Sequence, residues 1–180
     1  MSKSEKKIQE TFLNLLASKP IESISVSMLC NALNMERQTF YYHYQSLYDL
    51  IYSIFYEMKL EIDNNSSFKE NIFKLQTFLE NNRVLCISII NTFAESILTE
   101  FINSYYYRVL KTINYEYKNS KDFIIFFTKG ATEITLDLFK TESFNYKNFS
   151  LNLNSIFNNF SNFIKTYCKC TITDDMKQNL

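Results

Sequence analysis

The sequence predicts an all-α protein, and three observations lead to this class. Glycine and proline each occur once, as Gly130 and Pro20, whereas sheet-rich folds need far more turn residues. Hydrophobic residues make up 46% of the chain and recur at helical spacing, so helices with one apolar face can bury a sizeable core. The large side chains are mostly phenylalanine (17) and tyrosine (13), which suits a helical core with a pocket or an interface.

We expect two parts in this chain, an N-terminal three-helix unit over residues 1–50 and a second helical domain over residues 51–180. The first helix is predicted over residues 3–18, where apolar residues recur every three or four positions. Pro20 ends this helix, because the residue before a proline is disfavoured in the helical conformation.

A short second helix and a tight turn follow. The helix is predicted over residues 26–33, with Ser25 as its N-cap. Asn34 then occupies the turn, because asparagine is, after glycine, among the residues that best tolerate a left-handed backbone. Met35 is expected to be the apolar plug of this turn.

The third helix, predicted over residues 36–43, combines polar and aromatic residues. Phe40 and Tyr44 lie four residues apart, so they share one face and are expected to point inward. The remaining side chains then point outward. Two short helices joined by a tight turn are the layout of a helix-turn-helix, whose second helix enters the major groove of DNA. Residues 1–50 are therefore predicted to form a DNA-binding domain.

The rest of the chain is predicted to be helical as well. Two asparagines and two serines at 64–67 interrupt the pattern. Apolar spacing predicts helices over residues 47–63, 68–81, 83–92, 94–118, 121–141 and 147–168.

Several functional classes are disfavoured by the composition. No apolar run is long enough to cross a bilayer and the N-terminus lacks a signal-peptide core, so we expect a cytoplasmic protein with no membrane partner. Cys168 and Cys170 would lie on different faces of a helix, so a metal site is disfavoured. The chain has one histidine and no glycine-rich loop, so neither a catalytic site nor a cofactor is expected.

The charge balance restricts how this chain can bind DNA. The net charge is zero, and residues 1–50 carry five basic and five acidic side chains. A protein that binds polyanions through bulk charge has a clear basic excess. DNA binding must therefore depend on local donors, helix N-termini and shape.

A family resemblance rests on residues 8–51, about a quarter of the chain. This segment resembles the DNA-binding domain of the TetR family of bacterial transcription regulators. Thr39 through Tyr44 fit the family's run of Thr, an apolar or aromatic residue, Tyr, a variable residue, His and an aromatic residue. The segment RQTFYYHY, followed by YDLI, is most similar to the subgroup related to regulators of the dihydroxyacetone kinase operon. The residues that carry the resemblance are Leu29, the turn at 32–35, the run at 37–44, Leu50 and Ile51.

The chain departs from this family at three places. Asn34 stands where the family usually has glycine, which is a mild change for the backbone reason given above. Leu47 stands where the family usually has a lysine that contacts a phosphate, so one charged contact is lost. The C-terminal half has no tryptophan, although the subgroup often has one there.

The resemblance implies a dimeric regulator, expected to be a repressor, that binds a palindromic double-stranded DNA operator and responds to a small-molecule effector. Arg37, Gln38 and Thr39 would reach base edges. The residues expected to contact phosphates are Ser25, Ser27, Tyr41, Tyr42 and His43. Core packing is the alternative for Tyr41, and helix capping is the alternative for Ser25.

The second domain is implied to hold the dimer interface and the effector pocket. In the family, the last two long helices pair with their symmetry mates as a four-helix bundle, and the alternative is a core within one chain. Tyr105, Tyr106 and Tyr115 are the candidate pocket residues, with a packed core as their alternative. The expected interface residues are Phe126, Ile134, Ile156, Phe157, Phe160, Phe163 and Ile164.

A second hypothesis uses the same fold without autonomous DNA reading. In it, the protein is a partner-dependent co-activator or a protein-interaction module. The neutral charge, Leu47 and the many aromatic residues favour this alternative.

Overall fold

The computed structural model describes residues 2–112, 121–140, 152–156, 158–159 and 162. These residues form helices and contain no strand, which confirms the all-α class. A 3₁₀ turn at Ile21–Ser23 joins the first two α-helices, and residues 152–156 are also helical. The α-helices are α1 (Lys3–Leu16), α2 (Val26–Ala32), α3 (Arg37–His43), α4 (Leu47–Glu57), α5 (Phe68–Asn81), α6 (Arg83–Ile89), α7 (Glu95–Thr112) and α8 (Lys121–Lys140).

Serine side chains begin four of these helices. The Ser25 hydroxyl accepts a hydrogen bond from the Met28 backbone N–H, which confirms the predicted N-cap of α2. Ser2 and Ser67 form complete capping boxes with the glutamates three residues on. Such a cap satisfies backbone N–H groups that have no partner within the helix, and its loss costs about 1 kcal/mol. Ser46 caps α4 in the same way as Ser25 caps α2.

The turn between α2 and α3 has the predicted geometry. Asn34 has a φ of 50°, inside the left-handed region. The Met35 N–H donates to the Cys30 carbonyl at 3.0 Å, and the Met35 side chain packs partly buried against the core. Asparagine can therefore adopt the left-handed conformation that this turn requires and that glycine adopts most often.

Helix α4 ends six residues before the predicted Asp63. The Arg108 guanidinium donates to the Leu60 carbonyl at 3.3 Å, and the Asn71 side-chain amide donates to the Asp63 carbonyl at 3.2 Å. Asn71 also accepts from the Asp63 N–H through its side-chain oxygen. Side chains of α5 and α7 thus satisfy backbone groups that a longer helix would have paired internally.

A further predicted boundary differs from the structure. Helix α6 ends at Ile89 rather than at 92, and Asn91 follows with a φ of 62°. A left-handed residue cannot continue a right-handed helix. The predicted extensions of α7 beyond Thr112 and most of the predicted helix over 147–168 lie outside the described residues.

The apolar core runs without a break from the N-terminal helices into the C-terminal ones. Phe12, Leu29 and Phe40 are fully buried between α1, α2 and α3. They belong to the same cluster of buried residues as Ile72 and Leu98 in the second half. Helix α4 packs on α7, and α7 packs on α8 in the most extensive helix contact of the described residues.

Two buried tyrosines bond their hydroxyls inside this core. The Tyr105 hydroxyl donates to the Asn71 carbonyl at 2.9 Å, and the Tyr106 hydroxyl lies 2.7 Å from Oγ1 of Thr135. The Thr135 hydroxyl already donates to the Ala131 carbonyl at 2.6 Å, so Tyr106 is the donor to Thr135. Burial raises the pKa of Tyr105 to about 12 and raises that of Tyr106 as well, so both rings are neutral at physiological pH.

Replacing Asn34 tests the left-handed turn. Asn34→Val should lower the free energy of unfolding by roughly 1–2 kcal/mol, because a β-branched side chain clashes with the backbone at positive φ. Asn34→Gly should match or exceed the stability of the parent, since glycine adopts this conformation freely. Urea denaturation of the three proteins measures both changes. Equal stability of the valine and glycine variants would contradict the assignment.

Removing the Tyr106 hydroxyl tests the buried hydrogen bond. Tyr106→Phe should lower the free energy of unfolding by about 1 kcal/mol, because the bond to Thr135 is lost. Tyr107→Phe is the matched control, since Tyr107 is adjacent and exposed, and its stability should stay within about 0.5 kcal/mol of the parent. Chemical denaturation followed by circular dichroism compares the two. A larger loss in the Tyr107 variant would contradict this picture.

Candidate nucleic-acid interface

Helix α3 is held in place by one buried face. Phe40 is fully buried and Tyr44, one turn later, is nearly so. Their ring centroids lie 5.7 Å apart, and both belong to the core cluster that includes Leu29 of α2. The predicted inward pair is therefore confirmed, and the opposite face of α3 is directed away from the protein.

The first turn of α3 presents three polar side chains to solvent. Arg37, Gln38 and Thr39 are all exposed. Among the described residues, none of these three side chains takes part in a hydrogen bond or an ion pair. A guanidinium, a carboxamide and a hydroxyl thus remain available to an external partner.

The two tyrosines that follow are also on the outer side. Tyr42 is 85% exposed and Tyr41 is 55% exposed. The Tyr41 ring packs edge-on against Phe40 at 5.5 Å between centroids. Of the two expectations for Tyr41, the structure therefore shows partial packing with the ring still half exposed. The Tyr42 ring is more exposed and contacts the His43 ring edge-on, at 5.1 Å between centroids.

His43 is turned toward α1 rather than fully outward. Its side chain is only 12% exposed, and Nδ1 lies 3.6 Å from a carboxylate oxygen of Glu5. Hydrogen bonds from Ser2 lower the pKa of Glu5 most, and His43 lowers it further. If His43 contacts a phosphate as expected, its imidazole would therefore interact with both the phosphate and Glu5. No local sequence pattern indicates this pair, because the two residues lie 38 positions apart.

The two serines of α2 differ in their surroundings. Ser25 is exposed and accepts from the Met28 N–H at 3.2 Å. A serine hydroxyl that accepts one hydrogen bond can still donate its own proton, so capping and phosphate contact are compatible at Ser25. Ser27 is half-buried in the first turn of α2.

A buried amide connects α1, the end of α3 and α4. The Gln9 Nε2 group lies 3.4 Å from the Tyr44 hydroxyl, 3.4 Å from the Ser53 hydroxyl and 3.0 Å from the Glu57 carboxylate. Burial raises the pKa of Tyr44. Sequence reasoning missed this cluster, although a glutamine directly after Ile8 on the apolar side of α1 is a signal that could have revealed it. The cluster fixes α4 relative to the helix-turn-helix.

A cleft of about 480 Å³ lies between α4 and α7. Its aromatic and apolar walls include Phe55, Phe101 and Ile97, and its polar rim includes both acidic and basic groups. Tyr105 and Tyr106, the expected pocket residues, do not line this cleft, because both are fully buried and hydrogen-bonded in the core. Tyr115 lies outside the described residues.

Helix α8 has an outward stripe of apolar and small residues. Phe126, Gly130 and Ile134 follow at four-residue intervals; Phe126 is 64% and Ile134 is 38% exposed. A methyl group added at Gly130 would meet no atom within 4 Å. Ile156 is 46% exposed. The other expected interface residues, Phe157, Phe160, Phe163 and Ile164, have side chains outside the described part of the chain.

The described residues also bear on metal binding, membrane insertion and thiol chemistry. They hold no group of three or more His, Cys, Asp or Glu side chains that could bind a metal ion. No described helix combines the length and the apolar character that a membrane span requires. Cys30 and Cys86 are buried free thiols, and burial raises the pKa of Cys86 to about 12, so this thiol is protonated and unreactive.

Comparison with known proteins shows that this fold is similar to that of a solved regulator structure. A solved structure titled dihydroxyacetone kinase operon activator DhaS is similar to this chain with a TM-score of 0.53 and 16% sequence identity. The likeness covers 93% of this chain and 97% of that one. No protein-family model matches the chain, and no curated protein sequence does either. At this identity the likeness shows a shared helical fold over nearly the whole of both chains.

Proposed function

We propose that this protein is a sequence-specific, dimeric DNA-binding transcription regulator of the TetR type. The observation that carries the proposal is α3, whose inner face is fully buried while its outer face presents Arg37, Gln38 and Thr39 without partners in the described structure. The fold shared with an operon activator supports it. In this proposal residues 1–50 read DNA in the cytoplasm, and residues 51–180 serve dimerisation and control.

The three residues in the first turn of α3 would contact bases. An arginine can pair bidentately with guanine and a glutamine with adenine, while a threonine methyl can meet the thymine methyl. The residues proposed to contact phosphates are Ser25, Ser27, Tyr41, Tyr42 and His43. Phosphate contacts orient the domain, whereas base contacts give the sequence preference.

Leu47 weakens the electrostatic part of the binding. It is the first residue of α4 and packs partly buried against the core, where a lysine would have offered a cation to a phosphate. Each phosphate contact that a cation makes contributes about 0.9 to the log–log salt slope. The proposed protein–DNA complex therefore has a shallow salt dependence.

The exposed stripe of α8 is the proposed dimer interface. A two-fold dimer places two recognition helices about 34–36 Å apart, one turn of DNA, and so reads a palindrome. The stripe around Gly130 is open enough for a close approach by a second helix. Ile156 and the expected apolar residues after it would extend the same surface.

Control by a small molecule is the regulatory part of the proposal, with repression as the expected action. The cleft lies against α4, and α4 is tied to the helix-turn-helix through Gln9. A ligand that prefers one position of α4 shifts the equilibrium between DNA-competent and DNA-incompetent dimers.

A partner-dependent co-activator is the second candidate. Tyr48, Tyr52 and Tyr56 recur every four residues along α4 and are exposed. Tyrosine is enriched at protein–protein interfaces, and such a surface would suit a module that docks on another protein. Failure to select any duplex at low salt, together with stable binding to one defined protein, would favour this candidate.

Selection of random duplexes by the purified protein at low salt tests the main proposal. We expect an enriched palindrome. The Arg37→Ala/Gln38→Ala double variant should lose the preference for it by roughly 10-fold or more, because each bidentate pair contributes about 1–3 kcal/mol of discrimination. Lys69→Ala on α5 is the control, since it also removes one exposed cation. A folded double variant that keeps the full sequence preference would disprove the role of α3.

Charged substitutions in the α8 stripe test the dimer. Ile134→Arg and Ile156→Arg should each raise the dimer dissociation constant roughly 100-fold, because an unpaired arginine is costly to bury. Ile87→Arg is the control, since Ile87 is equally exposed but lies on α6. Sedimentation equilibrium gives the three constants. Dimers that persist unchanged in both α8-side variants would place the interface elsewhere.

A further inference from the structure

We propose that the cleft between α4 and α7 binds a small aromatic zwitterion, a flat ring carrying one carboxylate and one ammonium group. This inference deepens the proposed effector control and rests on it for its regulatory meaning. Three features of the cleft lead to this class of ligand: its apolar floor, its tyrosine wall and the balanced charges at its rim.

The floor of the cleft is aromatic. Phe55 is buried, and its ring centroid lies 5.4 Å from that of Phe101. Phe101 stacks in turn on Phe78, with centroids 4.9 Å apart. A volume of about 480 Å³ lies within the range of small-molecule sites in proteins. An apolar, preformed floor of this size suits a single or fused aromatic ring.

One wall of the cleft is a pair of tyrosines on α4. The rings of Tyr52 and Tyr56 stack nearly parallel, at 15° and 6.4 Å between centroids. Both rings are about half exposed or more, so their faces and edges can still receive another ring. Aromatic pairs in stacked or edge-on arrangements gain stability beyond simple area burial.

The rim carries two cations and two carboxylates. The cations are Lys59 and Arg108, and the carboxylates are Glu61 and Glu100. No ion pair within the described part of the chain uses any of these four groups. A ligand with one charge would be attracted and repelled to similar degrees, whereas a zwitterion can pair with groups of both signs.

Arg108 is positioned in advance for this role. Its guanidinium donates to the Leu60 carbonyl and lies 5.6 Å from the centroid of the Tyr105 ring. An arginine has five N–H donors, so donors remain for a ligand carboxylate. Leu60 follows the end of α4, and a ligand that engages Arg108 therefore acts on the segment that leads out of α4.

A matched series of indole compounds tests the ligand class. The chain has no tryptophan, so indole fluorescence excited beyond the tyrosine band reports the ligand alone. L-tryptophan carries both charges, tryptamine only the ammonium group and indole-3-propionate only the carboxylate. We expect saturable binding of L-tryptophan with a dissociation constant of about 1 mM or below, and roughly tenfold weaker binding of the other two.

Two variants connect the charges to residues. Arg108→Gln should weaken L-tryptophan and indole-3-propionate about tenfold and leave tryptamine unchanged or improved. Glu100→Gln should weaken L-tryptophan and tryptamine and leave indole-3-propionate unchanged or improved. Glu133→Gln on α8 is the control. Circular dichroism confirms that each variant is folded, and both substituted side chains in the cleft are exposed.

The outcomes separate this inference from the proposed function. Equal affinity for the three indoles, or failure of L-tryptophan, L-tyrosine and L-phenylalanine to bind at about 10 mM by calorimetry, would overturn it. Identical affinities in the cleft variants and the control would overturn it too. None of these binding measurements uses DNA. A failed duplex selection therefore does not count against the ligand inference, and a successful selection does not support it.

Discussion

Helix α4 is the element on which the rest of the structure depends, because it belongs to both halves of the core. Leu50, Ile51 and Ile54 are almost fully buried and belong to the same core cluster as Phe12, Phe40 and Leu98, and α4 packs on α7. The Gln9 amide adds a polar link to the Glu57 carboxylate at the end of α4. Because interiors are close-packed, α4 cannot move without moving the helices on one side or the other.

The parts of the fold that sequence predicts well are those fixed by local chemistry. Ser25 caps α2, Asn34 adopts the left-handed turn, and Phe40 with Tyr44 faces inward. Each of these follows from a side chain and its neighbours within a few residues. The placement of Arg37 and Gln38 at the exposed start of α3 follows from the same local pattern.

The parts that sequence does not predict are fixed by contacts between distant residues. The early end of α4 depends on Arg108 and Asn71, which lie on other helices. His43 meets Glu5 because the fold brings α1 and the end of α3 together. Tyr106 has an aromatic ring and a polar hydroxyl, as a pocket residue often does, yet its hydroxyl is hydrogen-bonded to Thr135 in the core. No pattern along the chain separates a tyrosine that lines a cleft from one that is buried.

The neutral surface and the position of α4 act together under the proposed function. With equal numbers of acidic and basic side chains in residues 1–50, little affinity for DNA comes from bulk charge, and base contacts supply a larger share. Base contacts need α3 at a defined position, whereas a diffuse charge attraction survives small displacements. Under the proposed function, a modest shift of α4 would therefore remove a large fraction of operator binding, and a coupling free energy of about 1–3 kcal/mol is enough for a 5- to 150-fold change in affinity. A cleft that holds only a small ligand can supply a coupling of this size, because the shift depends on the difference in affinity between two states and not on tight binding.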